Sequence, residues 1–150
     1  MVQLFYGNRT YALLFLPLFV AMYAILNFYL PYHTFEPTAH LGFWGHLLPQ
    51  SNIISPFLAP VLIFVGALVL NALFNRNEFM ERNNYIASLL YITFISSFHS
   101  FYYLDGFAVA QFFVILALYQ VFQLYQNEDG RRRVFNMAFL LGVAGTFYPL

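Results

Sequence analysis

Long apolar stretches separated by short polar segments dominate the hydrophobic pattern of this chain. A helix needs about 20 mainly apolar residues, at about 1.5 Å of rise per residue, to cross the hydrocarbon core of a bilayer. By this criterion the pattern predicts five transmembrane helices, over about 11–30, 55–74, 85–103, 107–125 and 134–150. We therefore predict an all-α, polytopic transmembrane bundle in which residues 1–150 form a single membrane domain.

The apolar stretch 85–126 decides the number of predicted helices. As one helix it would be about 63 Å long, about twice the thickness of the hydrocarbon core. Its one polar break is Leu104-Asp105-Gly106, and Asp-Gly is typical of tight turns because glycine readily adopts positive φ. The sequence therefore predicts a helical hairpin with Asp105 in the turn. Ser55 followed by Pro56 predicts an N-cap and first turn for the second span.

Composition places the chain among integral membrane proteins. Hydrophobic residues make up 61% of the chain and charged residues only 8%, whereas soluble domains carry about 25% charged residues. The formal net charge is zero, so the sequence lacks the basic surface of a nucleic-acid-binding protein. Because the chain has no cysteine, disulfides and thiolate metal sites are excluded. Membrane lipids are the predicted surroundings, and no nucleic-acid partner is predicted.

Basic residues occupy alternate connections between the predicted spans. All of them are arginines, and they lie before the first span, between the second and third, and between the fourth and fifth: Arg9, Arg76, Arg82, Arg131, Arg132 and Arg133. Under the positive-inside rule this pattern predicts a cytoplasmic N-terminus, with the Asp105 turn outside. The run Arg131, Arg132 and Arg133 is predicted to bind anionic lipid head groups.

The candidate chemistry lies on the predicted outer side. The long connection between the first two spans carries His33 and Glu36, and these two residues with Asp105 are the candidates for a catalytic role. His99 is predicted to be a structural hydrogen-bond partner. Pro37 disfavours helical geometry at Glu36, so His33 and Glu36 are not predicted to bind a metal. No nucleotide or haem motif is present, and no cofactor is predicted.

Span five carries a small-residue face, formed by Ala138, Gly142 and Thr146 at every fourth position. Small residues let helix backbones approach closely, and amide side chains such as Asn71 and Gln111 commonly form hydrogen bonds between membrane helices. Both features predict packing against helices beyond these five. Those helices would belong to other membrane subunits or to a continuation of the same chain.

Two segments, 74–94 and 131–150, carry a recurring pattern. In the first, a polar Arg-Asn loop leads into an aromatic-rich hairpin; in the second, three arginines open a span with small residues and a terminal aromatic pair. Over about residues 50–150 the chain resembles an uncharacterised family of polytopic inner-membrane proteins of Bacteroidota-type bacteria. The resemblance implies a multi-pass protein of the bacterial inner membrane, of which this chain would be the N-terminal half.

Three functions are compatible with these features. The sequence favours a non-catalytic inner-membrane subunit or assembly factor that acts through helix packing inside a larger complex. The first alternative is an outward-facing enzyme similar to glycosyltransferases that use lipid-linked sugars, although the long outer loop carries only Glu36 instead of an acidic pair. The second is a transporter component, although the spans lack the broken helices and mid-membrane charges typical of transporters.

Overall fold

The structure is a computed structural model that describes residues 10–29, 43–44, 47–48, 54–79, 84–98, 102–124 and 130–148. In these ranges the regular secondary structure is entirely α-helical apart from single-residue 3₁₀ assignments. The five helices are α1 (Thr10–Tyr29), α2 (Ser55–Arg76), α3 (Ile86–Ser96), α4 (Gly106–Leu124) and α5 (Gly130–Phe147). The predicted all-α fold is confirmed.

Three of the helices are long and apolar enough to cross a membrane. They correspond to α1, α2 and α4, with mean hydropathies of 2.0, 2.5 and 1.8. The eleven residues of α3 span only about 16 Å, roughly half the hydrocarbon core. The eighteen residues of α5 include three arginines in the first turn, which shortens its apolar part. The membrane-spanning character expected from the pattern is therefore strongest in α1, α2 and α4.

Helix ends differ from the predicted spans at two places. The stretch predicted as 85–103 is helical only over Ile86–Ser96, where the chain leaves the α-helix through i−3 hydrogen bonds at Ser97 and Phe98. The Ser97 hydroxyl also bonds to the Thr93 carbonyl, and such side-chain bonds compete with regular helix. The stretch predicted as 134–150 begins earlier, at Gly130. Arginine is a good helix former, so the polar residues that end the apolar stretch do not end the helix.

Helix α2 lies at the centre of the packing. It contacts α1, α3 and α4, while α5 packs mainly along α4. A core cluster joins the first three helices and the start of the following turn: Ala12, Leu16, Val20, Ile63, Ala67, Ile92, Ile95 and Tyr102. On α1 the buried residues recur at every fourth position, so one stripe of this helix faces α2 and α3.

Gly106 is the residue at which α4 and α5 approach most tightly. A Cβ at this position would overlap the backbone carbonyl of Phe147, closer than real Cβ contacts allow. Glycine therefore lets the first turn of α4 touch the last turn of α5. Because the first residue of α4 meets the last residue of α5, these two helices run antiparallel.

Candidate functional site

A seam of small and polar residues runs between α2 and α3. Its members are buried residues at every fourth position, from the start of α2 to Asn71 and from Asn84, just before α3, to the end of α3. The members are Ser55, Ala59, Ile63, Ala67 and Asn71 on one side and Asn84, Ser88, Ile92 and Ser96 on the other. Spacing of four residues keeps side chains on one helix face, and small side chains there let two membrane helices pack closely. We call this contact the α2–α3 seam.

A buried hydrogen bond crosses the seam. The Ser88 hydroxyl donates to the backbone carbonyl of Ala67 at 2.9 Å, and both residues are buried. Asn71 lies one turn beyond Ala67 on α2 and is buried as well. That amide side chains such as Asn71 pack against helices beyond these five stays a prediction.

Three asparagines gather at the inner end of the seam, the end nearer Arg76. The Asn75 side-chain nitrogen donates to the Asn84 carbonyl at 3.0 Å. Among the residues that the structure describes, the side-chain oxygens of Asn71 and Asn75 are buried and accept no hydrogen bond. A buried acceptor without a partner costs about 1–3 kcal/mol.

The outer end of the seam is closed by hydroxyl contacts. The hydroxyls of Ser96 and Tyr102 lie 2.7 Å apart, and Ser55 Oγ accepts the Leu104 backbone N–H at 2.7 Å. The predicted N-cap role of Ser55 is therefore wrong, because Ile54 occupies the N-cap position and Ser55 Oγ is used between segments. The predicted first-turn proline is present.

Asp105 lies in the turn before α4 and caps that helix. Its Oδ1 accepts the Ala108 backbone N–H at 2.9 Å, and a negative charge there also interacts favourably with the helix dipole. Burial raises the pKa of the Asp105 carboxyl above its ordinary value, with the Ala108 hydrogen bond acting in the opposite direction. The carboxylate that the sequence marks as a catalytic candidate thus has a structural contact of its own.

The other catalytic candidates lie outside the described residues. His33 and Glu36 fall in the stretch between α1 and Phe43, and His99 falls between Phe98 and Tyr102. Among the residues that the structure describes, no group of three or more histidine or acidic side chains could hold a metal ion.

Trp44, which lies in the sequence between α1 and α2, contacts the end of α5. Its backbone N–H donates to the Thr146 carbonyl at 3.1 Å, and its ring meets Phe147 edge-to-face with centroids 5.9 Å apart. Phe147 in turn stacks on Phe113 of α4, at 6.0 Å. The sequence does not predict this contact, since it joins residues about a hundred positions apart.

The predicted packing face of α5 is only partly occupied. Thr146 is half-buried and donates its hydroxyl to the Val143 carbonyl. Ala138 and Gly142 are exposed, and a Cβ at Gly142 would meet no atom within 4 Å. The buried small residue of α5 is Ala144, which lies on a different side of the helix from Ala138 and Gly142. Within the described part of the chain, the surface around Ala138 and Gly142 has no helix packed on it.

The three clustered arginines have different surroundings. Arg131 and Arg132 are exposed, whereas Arg133 is half-buried and donates to the Gln120 side-chain oxygen at 2.9 Å. Arg76, at the end of α2, donates to the Tyr119 hydroxyl at 3.2 Å. The sequence predicts a common lipid-binding role for Arg131–Arg133 and gives no hint that Arg76 and Arg133 contact neighbouring residues of α4.

A shallow cleft lies between α2, α3 and α4 in the outer half of the bundle. It is lined mainly by apolar side chains, with Tyr91 and Gln111 as the polar ones, and it has room for about one water molecule. A drug-sized or sugar-sized ligand requires a pocket of about 300 Å³ or more. This cleft therefore does not accommodate such a substrate.

Comparison with known proteins adds no relative from which a role could be transferred. No protein-family model matches this chain, and neither a curated protein nor a solved structure matches it.

Proposed function

We propose that this protein is a non-catalytic integral membrane subunit or assembly factor of a larger membrane complex. The observation that carries the proposal is the exposed surface around Ala138 and Gly142 on α5. Nothing lies within 4 Å of a Cβ built at Gly142 or at Gly145. A small-residue surface of this kind suits close approach by another helix, since small side chains allow backbone contact.

The proposed location is the inner membrane of a bacterium, with the N-terminus in the cytoplasm. Three apolar helices of sufficient length support the membrane placement, and the family resemblance supports the bacterial inner membrane. The arginine pattern supports the orientation under the positive-inside rule. Arg76 and Arg133 both reach one turn of α4, so these basic residues gather at one end, while Trp44 and Asp105 lie at the other.

The capping contact of Asp105 also supports a non-catalytic role. The Asp105 carboxylate caps α4 by accepting the Ala108 backbone N–H. A general base must lie within hydrogen-bond distance of the proton that it removes. The alternative transferase function depends on Glu36 as its candidate base. Glu36→Gln removes the basicity of this side chain, and a non-catalytic subunit should still assemble normally with this substitution.

Purification of the full chain from membranes in mild detergent tests the proposal. We expect other membrane proteins to co-purify in fixed stoichiometry, and Gly142→Leu to reduce their yield because a bulky side chain separates the backbones. Leu141→Ile, at the neighbouring exposed position, is the matched control and should leave the yield unchanged. A solitary protein, or equal partner yields for both variants, would contradict the subunit proposal.

Cysteine labelling tests the orientation separately, against a background that contains no cysteine. Tyr103→Cys, at a site exposed on the predicted outer side, should react with a membrane-impermeant maleimide in cells with a permeabilised outer membrane. Phe79→Cys, exposed beyond the end of α2, should react only after the inner membrane is lysed. The reverse labelling pattern would show that the arginines face outward.

A further inference from the structure

Two arginines at the inner end of the bundle are held by uncharged acceptors. Arg76, the last residue of α2, donates an N–H to the Tyr119 hydroxyl at 3.2 Å. Arg133, in the first turn of α5, donates to the Gln120 side-chain oxygen at 2.9 Å. Tyr119 and Gln120 are consecutive residues of α4. This helix therefore positions guanidinium groups from two different helices at one level of the bundle.

Neither contact neutralises the positive charge. A carboxylate partner would do so, but a phenol hydroxyl and an amide oxygen only orient the guanidinium. Within the described ranges neither Arg76 nor Arg133 forms an ion pair. A guanidinium has several N–H donors in a planar fork that suits phosphate oxygens, so each arginine keeps donors for a further ligand.

The position of these charges favours an anion. Arg133 stands in the first turn of α5, where the helix dipole is positive and a cation is destabilised. It is half-buried between α4 and α5, while Arg76 is exposed. At the membrane surface, the phosphate esters of lipid head groups supply an anion at this level.

We propose that the inner end of α4 is a binding site for the head group of an anionic phospholipid. Arg76 and Arg133 bind the phosphate oxygens, and Tyr119 and Gln120 position the two guanidinium groups. Arg131 and Arg132, which are exposed without a contact to α4, contribute only general attraction to an anionic membrane. The inference rests on the membrane placement in the proposed function and does not depend on the proposed partner subunit.

Lipid retention by the full chain tests this site. The protein is placed in phosphatidylcholine nanodiscs that contain a small fraction of phosphatidylglycerol, and retained lipids are counted by native mass spectrometry. Arg76→Gln and Arg133→Gln should each weaken phosphatidylglycerol retention by about tenfold or more, because each removes charge-assisted hydrogen bonds to the phosphate as well as general attraction. Arg132→Gln removes the same charge from an exposed neighbour and should weaken retention by no more than the about fivefold expected from general attraction.

Tyr119→Phe separates positioning from charge. It removes the hydroxyl that holds Arg76 but leaves the net charge and the ring in place, so phosphatidylglycerol retention should fall although general membrane attraction is unchanged. An arm with diphosphatidylglycerol should show tighter retention than phosphatidylglycerol if both arginines bind phosphate. Release of the lipid by millimolar inorganic phosphate would identify a soluble-phosphate site and overturn the lipid assignment.

Two further outcomes would overturn the proposal: equal losses in Arg132→Gln and Arg133→Gln, or equal retention of phosphatidylcholine and phosphatidylglycerol. Either result would reduce the site to non-specific attraction. Partner yield is measured on the same samples. Normal partner yield together with equal retention of the two lipids by the unaltered chain refutes the lipid site alone. Absence of co-purifying partners together with selective phosphatidylglycerol retention refutes the subunit function alone.

Discussion

The α2–α3 seam and the exposed surface of α5 around Ala138 and Gly142, which we call the outer face of α5, carry the same spacing of small residues. The seam is buried, whereas the outer face of α5 is exposed. In the seam, Ala67 is fully buried and its carbonyl accepts the Ser88 hydroxyl. On α5, Ala138 and Gly142 are exposed, with nothing packed on the glycine. Small residues at every fourth position thus make close helix contact sterically possible, but they do not specify which helix makes it.

The difference lies in the polar groups that accompany the small residues. Each side of the seam contributes hydroxyl or amide groups, which require hydrogen-bond partners in an apolar medium and so select a register. On α5, the one hydroxyl of the pattern, Thr146, bonds to its own helix. The outer face of α5 therefore lacks a register-selecting group, and a helix that docks there would be chosen mainly by shape.

The largest expected contrast comes from the same substitution on both surfaces. Ala67→Leu inserts three carbons into a filled seam and should lower the free energy of unfolding by about 1–3 kcal/mol through overpacking. Ala138→Leu makes the identical change at an exposed position and should leave the stability of the isolated chain nearly unchanged. Unfolding in mixed SDS micelles measures both values. Equal losses would show that a helix covers α5 even in the isolated protein.

Glycine-to-alanine substitutions on α4 and α5 should change the stability of the protein in opposite directions at a close contact and at an exposed face. At Gly106 an alanine Cβ would collide with the Phe147 carbonyl, so Gly106→Ala should force the helices apart and lower stability by about 1 kcal/mol or more. At Gly142 the added methyl meets open space, and Gly142→Ala should raise helix stability by up to about 1 kcal/mol. Loss of stability in both variants would contradict the close approach at Gly106.

Asp105 tests the turn that connects the seam to the α4–α5 hairpin. Asp105→Ala removes the cap of α4 and should cost about 1 kcal/mol, whereas Asp105→Asn keeps a capping oxygen and should be nearly neutral. Because the folded-state pKa of the carboxyl is raised, the native protein should gain stability as the pH falls through that pKa. Asp105→Asn should lose this acidic-range dependence. A pH profile unchanged by Asp105→Asn would show that another group titrates.

Much of the fold was predictable because apolar length and charge carry most of the signal in a membrane protein. Predicted spans 55–74 and 107–125 overlap α2 and α4 closely. Hydropathy does not predict that α3 is short, since Phe98 and Tyr103 are apolar although they lie beyond the end of the helix. Hydropathy measures compatibility with lipid, whereas the end of α3 depends on serine hydroxyls and on the Tyr102 contact.

The contacts of the candidate site were less predictable, because they join residues distant in the sequence. The every-fourth pattern of Ala59, Ile63 and Ala67 was visible in α2, and it would have indicated the seam if paired with Ser88 and Ile92. By contrast, the bonds from Arg76 to Tyr119 and from Leu104 to Ser55 depend on how the helices are arranged. No local sequence signal specifies such partners.

The smallest expected effect concerns the buried hydrogen bond between Ser88 and Ala67, one of the hydrogen bonds that cross the seam. Ser88→Ala removes the hydroxyl that bonds to the Ala67 carbonyl and leaves the packing almost unchanged. Interhelical hydrogen bonds in membrane proteins contribute about 0.6 kcal/mol on average, so a loss of that order is expected in SDS unfolding. The control is Thr93→Val, because the Thr93 hydroxyl bonds within its own helix to Leu89 and contributes nothing between helices. A stability loss at Ser88→Ala no larger than at Thr93→Val would show that the Ser88 hydroxyl does not stabilise the contact between α2 and α3. In that case the proposed difference between the seam and the outer face of α5 would lose its main support, because the polar group at the centre of the seam would contribute nothing to helix pairing.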